Sequence, residues 1–508
     1  QLLSFNDYHG HLERETPGGI EVPGEAEEVP AGGAQFLARH LRNLRSGHAN
    51  SLTVTAGDLI GGSPFLSGLF HDEPSVESLN AMGLDVSGVG NHEFDEGVRE
   101  LRRMQRGGCH PVDGCYFPNQ PYAGADFPWL AANVKNDTTG KTALRPYAVR
   151  KVDGERIAFI GMTLEGTDQL VAQSGIRGWS FKDEVRTANR LVPQIRKKGI
   201  EAIVVLLHEG GVQEGGYNAC DGISGPVVDI AKKLKPAIDM VVTGHTHQAY
   251  NCTIKDPKGR PRKVTSAASY GRLVTETNLK INRRTGDIIR KSVRVKNHVV
   301  TQDVRPVPAQ TKILEKWGKL AGNVGQEPIG KVTEDITRAF ETGGSDDRGA
   351  ESDASNLIAD AQLWATKANG AQIAFMNPGG IRSDLDIVAE WRAAGAYVQV
   401  NGPSLTGRYG EQARFNAFAI LENALADYLC SDFHARGRPS TSGAAKLLTE
   451  AGGSDAVTRS GACTTLSRGG TSPCRDSSSR MMASSPTRTI SISGSRSPRT
   501  SGSGGTPT

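Results

Sequence analysis

Leu2-Leu3-Ser4-Phe5-Asn6-Asp7-Tyr8-His9-Gly10-His11 opens the chain: an apolar run that ends on a carboxylate and two imidazoles. Residues 2–5 read as a buried strand, and Asp7 and His9 follow at once. The same order recurs four times. Residues 52–55 precede Gly57-Asp58, and 86–89 lead into Gly90-Asn91-His92-Glu93. Residues 203–207 end on His208-Glu209, and 240–242 precede Gly244-His245-Thr246-His247. A further strand-like run lies at 157–160, and amphipathic stretches at 34–44 and 226–234 read as helices. Apolar strands separated by helices predict an α/β layered domain. Polar residues just past strand ends stand where open α/β sheets bind ligands.

The residue types suit metal ions. Asp7 and His9 are two apart, so in an extended backbone they point the same way, and His245 and His247 repeat the spacing. Carboxylate, imidazole and amide oxygen suit hard or borderline divalent ions such as Zn, Mn, Fe(II) or Mg. Two ions about 3.5–4 Å apart are well served by a bridging anion, and Asp58 is the natural candidate. His92 and Asp95 are three apart, right after Asn91. At a helix start the carboxylate reaches the imidazole and fixes its orientation. Any one of these motifs alone reads as a surface pair or a structural histidine. His208-Glu209 is no His-Glu-x-x-His zinc motif, since Val212 stands where the second histidine belongs. Their joint occurrence at successive strand ends is what points to a dinuclear site.

The ordered set resembles the calcineurin-like metallophosphoesterases, and more narrowly the secreted 5'-nucleotidase family. The opening decapeptide, Gly90-Asn91-His92-Glu93-Phe94-Asp95 and Asn377-Pro378-Gly379-Gly380-Ile381-Arg382 carry the resemblance from residue 1 to about 385. It implies an α/β fold: a four-layer metallophosphoesterase β-sandwich flanked by helices, plus a smaller, incomplete α/β substrate-binding domain. It implies two divalent metal ions (Zn, Mn, Fe, Mg or Co). Asp7, His9, Asp58 and His247 hold one ion. Asp58, Asn91, His208 and His245 hold the other, and His92 with Asp95 is the catalytic dyad. Arg348, Asn377, Gly379, Gly380 and Arg382 match substrate-contacting positions; arginine suits phosphate because its planar fork donates two parallel bonds. The implied activity is hydrolysis of nucleoside 5'-monophosphates, a water activated by the metals attacking phosphorus. Alternatives on the same site are a 2',3'-cyclic nucleotide phosphodiesterase and a UDP-sugar or nucleoside polyphosphate hydrolase. A catalytically impaired, nucleotide-binding secreted protein is a further one.

The expected organisation is a catalytic domain at 1–300, a linker helix within 301–325, and a nucleotidase C-terminal-like domain at 326–430. In that last domain a helix is expected at 355–366, a strand at 372–376 and a loop at 377–382. The family pattern weakens after about 385 and is lost after about 418. Phe418 fits one face of a base-stacking pair. Phe415, Tyr428 and Phe433 are candidates by type only for the other, because the family's Gly-Gly-Asp-Gly-aromatic turn is absent. Residues 431–508 read as a low-complexity tail, disordered or produced by a shifted reading frame. No aromatic follows Phe433 and no lysine follows Lys446.

The formal charge of the 508-residue chain is +4. Residues 452–508 hold seven arginines against two aspartates, which leaves −1 for the rest. The basic excess belongs to the tail, which lacks interleaved aromatics, so no nucleic-acid partner is expected. The partner expected is a nucleotide substrate. No apolar run reaches the ~18 residues of a membrane span. Cys109 and Cys115 flank a turn-rich loop, and Cys220 and Cys252 bracket a longer one. Neither is a Cys-x-x-Cys pair, so two local disulfides and an oxidising, secreted or cell-envelope location are expected. Gln1 suggests a trimmed start, with any signal peptide outside this chain.

Overall fold

The apolar runs pair as strands of two six-stranded mixed sheets in a computed structural model. The described residues are 1–325 apart from 16, 17, 26 and 27, and then 335–340, 347, 349–376, 378–381, 384, 385, 399–401 and 428–430. In chain order the sheet strands are β1 (Leu2–Phe5), β2 (Leu52–Thr55), β3 (Val86–Gly88), β4 (Trp129–Leu130), β5 (Tyr147–Val152) and β6 (Glu155–Thr163). They continue with β7 (Ala202–His208), β8 (Met240–Thr243), β9 (Ala249–Lys255), β10 (Pro261–Ala267), β11 (Leu273–Asn278) and β12 (Arg294–Val299). The first sheet runs β12-β11-β1-β2-β3-β4, and the second β9-β10-β8-β7-β6-β5. The strands at each centre are parallel, with Leu3 opposite Thr53 and Val205 opposite both Ile160 and Val241.

Period-two alternation sorts the side chains into layers. Leu2, Val54, Val86 and Leu130 of the first sheet meet Phe159, Val204, Leu206 and Met240 of the second. On the outer face of the first sheet, Leu3 and Phe5 meet helices α1 (Ala34–Arg45) and α2 (Glu73–Met82) through Phe36, Leu37, Val76 and Leu79. Helix α3 (Gly97–Arg106) adds Val98 and Leu101 to that side. On the outer face of the second, Ile203, Val205 and Leu207 meet α4 (Glu184–Arg196) and α5 (Pro226–Lys233). The result is the four-layer α/β sandwich. Two glycines let the sheets approach closely. A Cβ on Gly161 would lie 2.5 Å from Leu130 Cβ and 2.9 Å from Gly88 Cα.

Helix α6 (Pro308–Gly325), at the expected connecting position, buries Ile313, Trp317 and Ala321 in the first unit. The Trp317 indole lies against Phe70 and Phe117 and donates to Glu77 Oε2 at 2.7 Å. The chain divides into two compact units, Gln1–Gly325 and Gln326–Thr508. In the second unit, helix α7 (Asp353–Thr366) starts at a capping box of Ser352 and Ser355. Arg338 pairs with Asp384 at 3.1 Å.

One expectation needs correction. Residues 372–376 form no strand: Ile373 and Phe375 are 71% and 88% exposed, and no ladder partner stands beside them among the described residues. An apolar pentapeptide predicts a strand only where a neighbour takes up its backbone hydrogen bonds. The antiparallel strands β5 and β9–β12 went unread because they are polar or irregularly alternating. Both expected disulfides are present, Cys109–Cys115 and Cys220–Cys252.

Candidate metal centre

The seven expected metal ligands converge at one end of the sandwich. The first sheet supplies Asp7 and His9 after β1, Asp58 after β2 and Asn91 after β3. The second supplies His208, the last residue of β7, and His245 and His247 after β8. They do not converge through extended backbone, as the i, i+2 spacing suggested. Asp7, His9, Asp58, His245 and His247 all sit at positive φ, between 48° and 75°. A left-handed residue at the strand end turns the chain back sharply, so its side chain faces the opening. Such backbone costs ~1–3 kcal/mol for a non-glycine residue and persists where its surroundings over-determine it.

The surroundings are explicit. The Asp7 carboxylate accepts from His245 N–H at 3.0 Å and from Asn6 Nδ2 at 2.6 Å. Asn6 in turn is held by Ala267 N and Ala268 O. Asp58 Oδ1 accepts from His92 N–H at 2.9 Å. Buried Glu93 accepts from the backbone N–H groups of Asp58, Leu59 and Gly90. It thereby clamps the loop that carries Asp58 to the loop that carries Asn91. Sequence reading assigned Glu93 no role; its place inside the Gly90-Asn91-His92-Glu93 motif was the only signal.

The donor set fits divalent cations. His208 Nδ1 bonds Ala56 O at 2.8 Å and His9 Nδ1 bonds Gly61 O at 2.7 Å. Each carbonyl fixes the proton on Nδ1 and leaves Nε2 with its lone pair toward the centre. His208 Nε2 lies 2.9 Å from Asp58 Oδ2, yet it is a buried nitrogen without a hydrogen-bond partner. His9 Nε2 lies 3.2 Å from His247 Nε2 and 3.6 Å from Asp58 Oδ2. His247 Nε2 is 3.4 Å from Asp7 Oδ1, and His245 Nδ1 is 3.1 Å from Asn91 Oδ1. Each of these contacts takes either a proton or a cation between its two acceptor atoms. Two groups, Asp7-His9-His247 and Asp58-His208-His245, each gather donors around one point, and a third, His9-Asp58-His92, shares a residue with each.

The titration behaviour agrees. Burial pushes His9 down to about 3 and His245 down to about 4, so both stay neutral and ready to ligate. Burial also opposes charge on His208, but the Asp58 and Asp7 carboxylates outweigh it and raise that ring to about 10. Burial favours protonated Asp58, yet the neighbouring imidazoles hold it well below the usual carboxylate range.

His92 stands at the mouth, 28% exposed, with its ring edge-on to His9. His92 Nδ1 bonds Asp95 Oδ2 at 2.8 Å across a single 3₁₀ turn. Burial alone lowers its basicity; the Asp95 bond and the Asp58 charge prevail and raise it to about 9. Arg348, Asn377, Arg382 and Phe418 lie outside the described residues, as does all of 431–508. Gly379 and Gly380 lie in a 3₁₀ turn, Pro378–Gly380.

Gly90 tests the packing of this centre. A Cβ there would lie 2.1 Å from Asp58 Oδ1 and 2.8 Å from Asp58 N, so that loop must move. Gly90→Ala is expected to cost about 1–3 kcal/mol of stability and to weaken divalent-metal binding. Thermal unfolding with and without added metal measures both. An unchanged midpoint in either condition would show that the loop yields freely.

Comparison with known proteins places this geometry. Residues 2–249 match the calcineurin-like phosphoesterase family, and residues 328–399 match the 5'-nucleotidase C-terminal domain. The chain is 33% identical over 385 residues to the endonuclease YhcR of Bacillus subtilis, covering 76% of this chain and 30% of that protein. It is 32% identical over 408 residues to the cell wall protein Lmo0130 of Listeria monocytogenes, covering 76% and 50%. The chain thus spans half or less of the length of these relatives. Among solved structures, a 5'-nucleotidase precursor from Thermus thermophilus shares the fold. It has a TM-score of 0.57 and 24% identity, with 76% of this chain and 70% of that one covered.

Proposed function

This chain belongs to the calcineurin-like phosphoesterases that carry a 5'-nucleotidase C-terminal domain, and on that premise we propose that it hydrolyses nucleoside 5'-monophosphates with two divalent metal ions. The observation that carries the reading is the convergence of six buried or half-buried aspartate and histidine side chains from both sheets, with Asn91 beside His245 and the His92–Asp95 pair at the border. Asp7, His9, Asp58 and His247 would hold one ion, and Asp58, Asn91, His208 and His245 the other. Such ions, when bound, would supply Lewis-acid activation of water and of the phosphoryl oxygens.

The rest of the chemistry belongs to the chain. Asp58 serves both donor groups from a loop that Glu93 holds in place. Asp95 keeps the His92 ring turned to the mouth with its second nitrogen free to donate. His92 then neutralises charge on the phosphoryl group or gives a proton to the leaving oxygen. The match at residues 328–399 supports a nucleotide as substrate, and Gly379, Gly380, Asn377, Arg348, Arg382 and Phe418 are the positions proposed to contact it. The two disulfides and the cell wall relative support a place outside the cytoplasm.

A second reading is hydrolysis of phosphodiesters on the same centre, favoured by the identity with an endonuclease. A substrate panel separates the two. With added metal, AMP is expected to turn over in preference to p-nitrophenyl phosphate and bis-p-nitrophenyl phosphate, and a chelator is expected to abolish turnover. If the diester turns over and AMP does not, the diesterase reading replaces this one. If no ester turns over under any metal, the chain is a nucleotide-binding relative that has lost catalysis.

A further inference from the structure

We propose that His71, His110 and Asp113 form a second, peripheral site for a borderline divalent cation such as zinc, with Glu96 positioning the His71 ring. None of these residues belongs to the centre described above. His71 lies in the turn before α2, and His110 and Asp113 lie in the loop closed by Cys109–Cys115. Asp113 Oδ2 is 2.6 Å from His71 Nε2 and 3.4 Å from His110 Nδ1. The three donor atoms all fall within 4.8 Å of one another.

The support behind His71 is what a metal-binding imidazole needs. Its Nδ1 lies 2.8 Å from both oxygens of the Glu96 carboxylate, which fixes that proton and aims Nε2 at Asp113. His110 Nδ1 accepts the Asp113 backbone N–H at 3.1 Å, so its one lone pair lies on the Asp113 side, and an ion would take that hydrogen bond's place. His71 and Asp72 both hold positive φ, 49° and 61°. Asp72 is anchored by Ser67 Oγ at 2.6 Å and Gly61 N at 2.9 Å. The turn is therefore held in a fixed shape.

Two imidazoles and a carboxylate select zinc, copper or nickel over magnesium or calcium. The rings of His71 and His110 are stacked, 3.8 Å apart at 21°. Ligation therefore requires His110 to turn about its Cβ–Cγ bond, and its loop is open to solvent on the Asp113 side.

The test uses the full chain, stripped by a chelator, reloaded with zinc sulfate and desalted. Bound zinc is then counted by elemental mass spectrometry. His71→Asn, which tolerates the left-handed backbone, and His110→Ala are each expected to bind one zinc fewer than the parent chain. Asp58→Asn is expected to lose zinc from the central cluster and to keep the peripheral equivalent. Asp113→Asn, on an exposed side chain, guards against misfolding and is expected to weaken that equivalent at least tenfold in a zinc titration. Equal counts and superimposable titrations for the parent and all three peripheral variants would overturn the proposal. They would leave the central site, read by Asp58→Asn, untouched.

Discussion

Asp58→Ala is expected to lower kcat/KM on AMP by about a thousandfold or more, equivalent to about 4 kcal/mol or more of transition-state stabilisation, and to release bound divalent metal. The size follows from position. Asp58 is 2% exposed, with Oδ2 2.9 Å from His208 Nε2 and 3.6 Å from His9 Nε2. Its second oxygen is already taken by the His92 backbone. Asp7 Oδ1 stands farther from His208 Nε2, at 3.9 Å, so loss of Asp58 removes the carboxylate nearest that buried imidazole. Asp58→Asn keeps the shape but not the charge, and belongs near the alanine variant in activity. Steady-state rates at saturating metal, with metal content measured alongside, decide the matter. Turnover within a few-fold of the parent chain would remove Asp58 from the reaction.

His92→Ala is expected to lower kcat by about a hundred- to ten-thousandfold, the usual range for a positioned acid–base group, with metal content unchanged. That split separates it from Asp58. His92 is tied to the centre by its backbone N–H on Asp58, which alanine retains, while its ring meets that of His9 edge-on. Its side chain reaches outward on the Asp95 bond. Asp95→Asn keeps a hydrogen-bond partner but weakens the charge that favours protonated His92, so a smaller loss is expected. A His92→Ala chain that loses metal together with activity would mean the ring holds the centre together rather than serving the reaction.

The sequence was legible wherever chemistry and strand period coincide. Asp7, Asp58, Asn91, His208, His245 and His247 each follow a run of buried residues, and two rules together place them: apolar runs make strands, and strand ends carry function. Left-handed backbone at Asp7 and His245 left no such trace, because nothing in an Asp-x-His spacing distinguishes an extended pair from a turned one. Glu93 was invisible for a different reason. A carboxylate that accepts three backbone N–H groups looks in sequence like any surface glutamate. The antiparallel strands hide polar pairs such as Thr275 with Asn297, 2.5 Å apart and buried, which hydropathy reads as loop. At residues 372–376 the error ran the other way, since apolar content was mistaken for pairing.

The division of the ligands between two sheets has a mechanical meaning. Each sheet is bonded along its own ladder, and between them there is mostly oil-like contact, brought close by Gly88 and Gly161. On the function proposed above, ions held by Asp7, His9, Asp58 and Asn91 from one slab and by His208, His245 and His247 from the other would act as a rivet through both. By thermodynamic linkage, whatever binds only the assembled form adds to its stability with the logarithm of its free concentration. The cation would then be as much a part of the architecture as any core leucine, and its free concentration would set how long the molecule lasts as well as how fast it works.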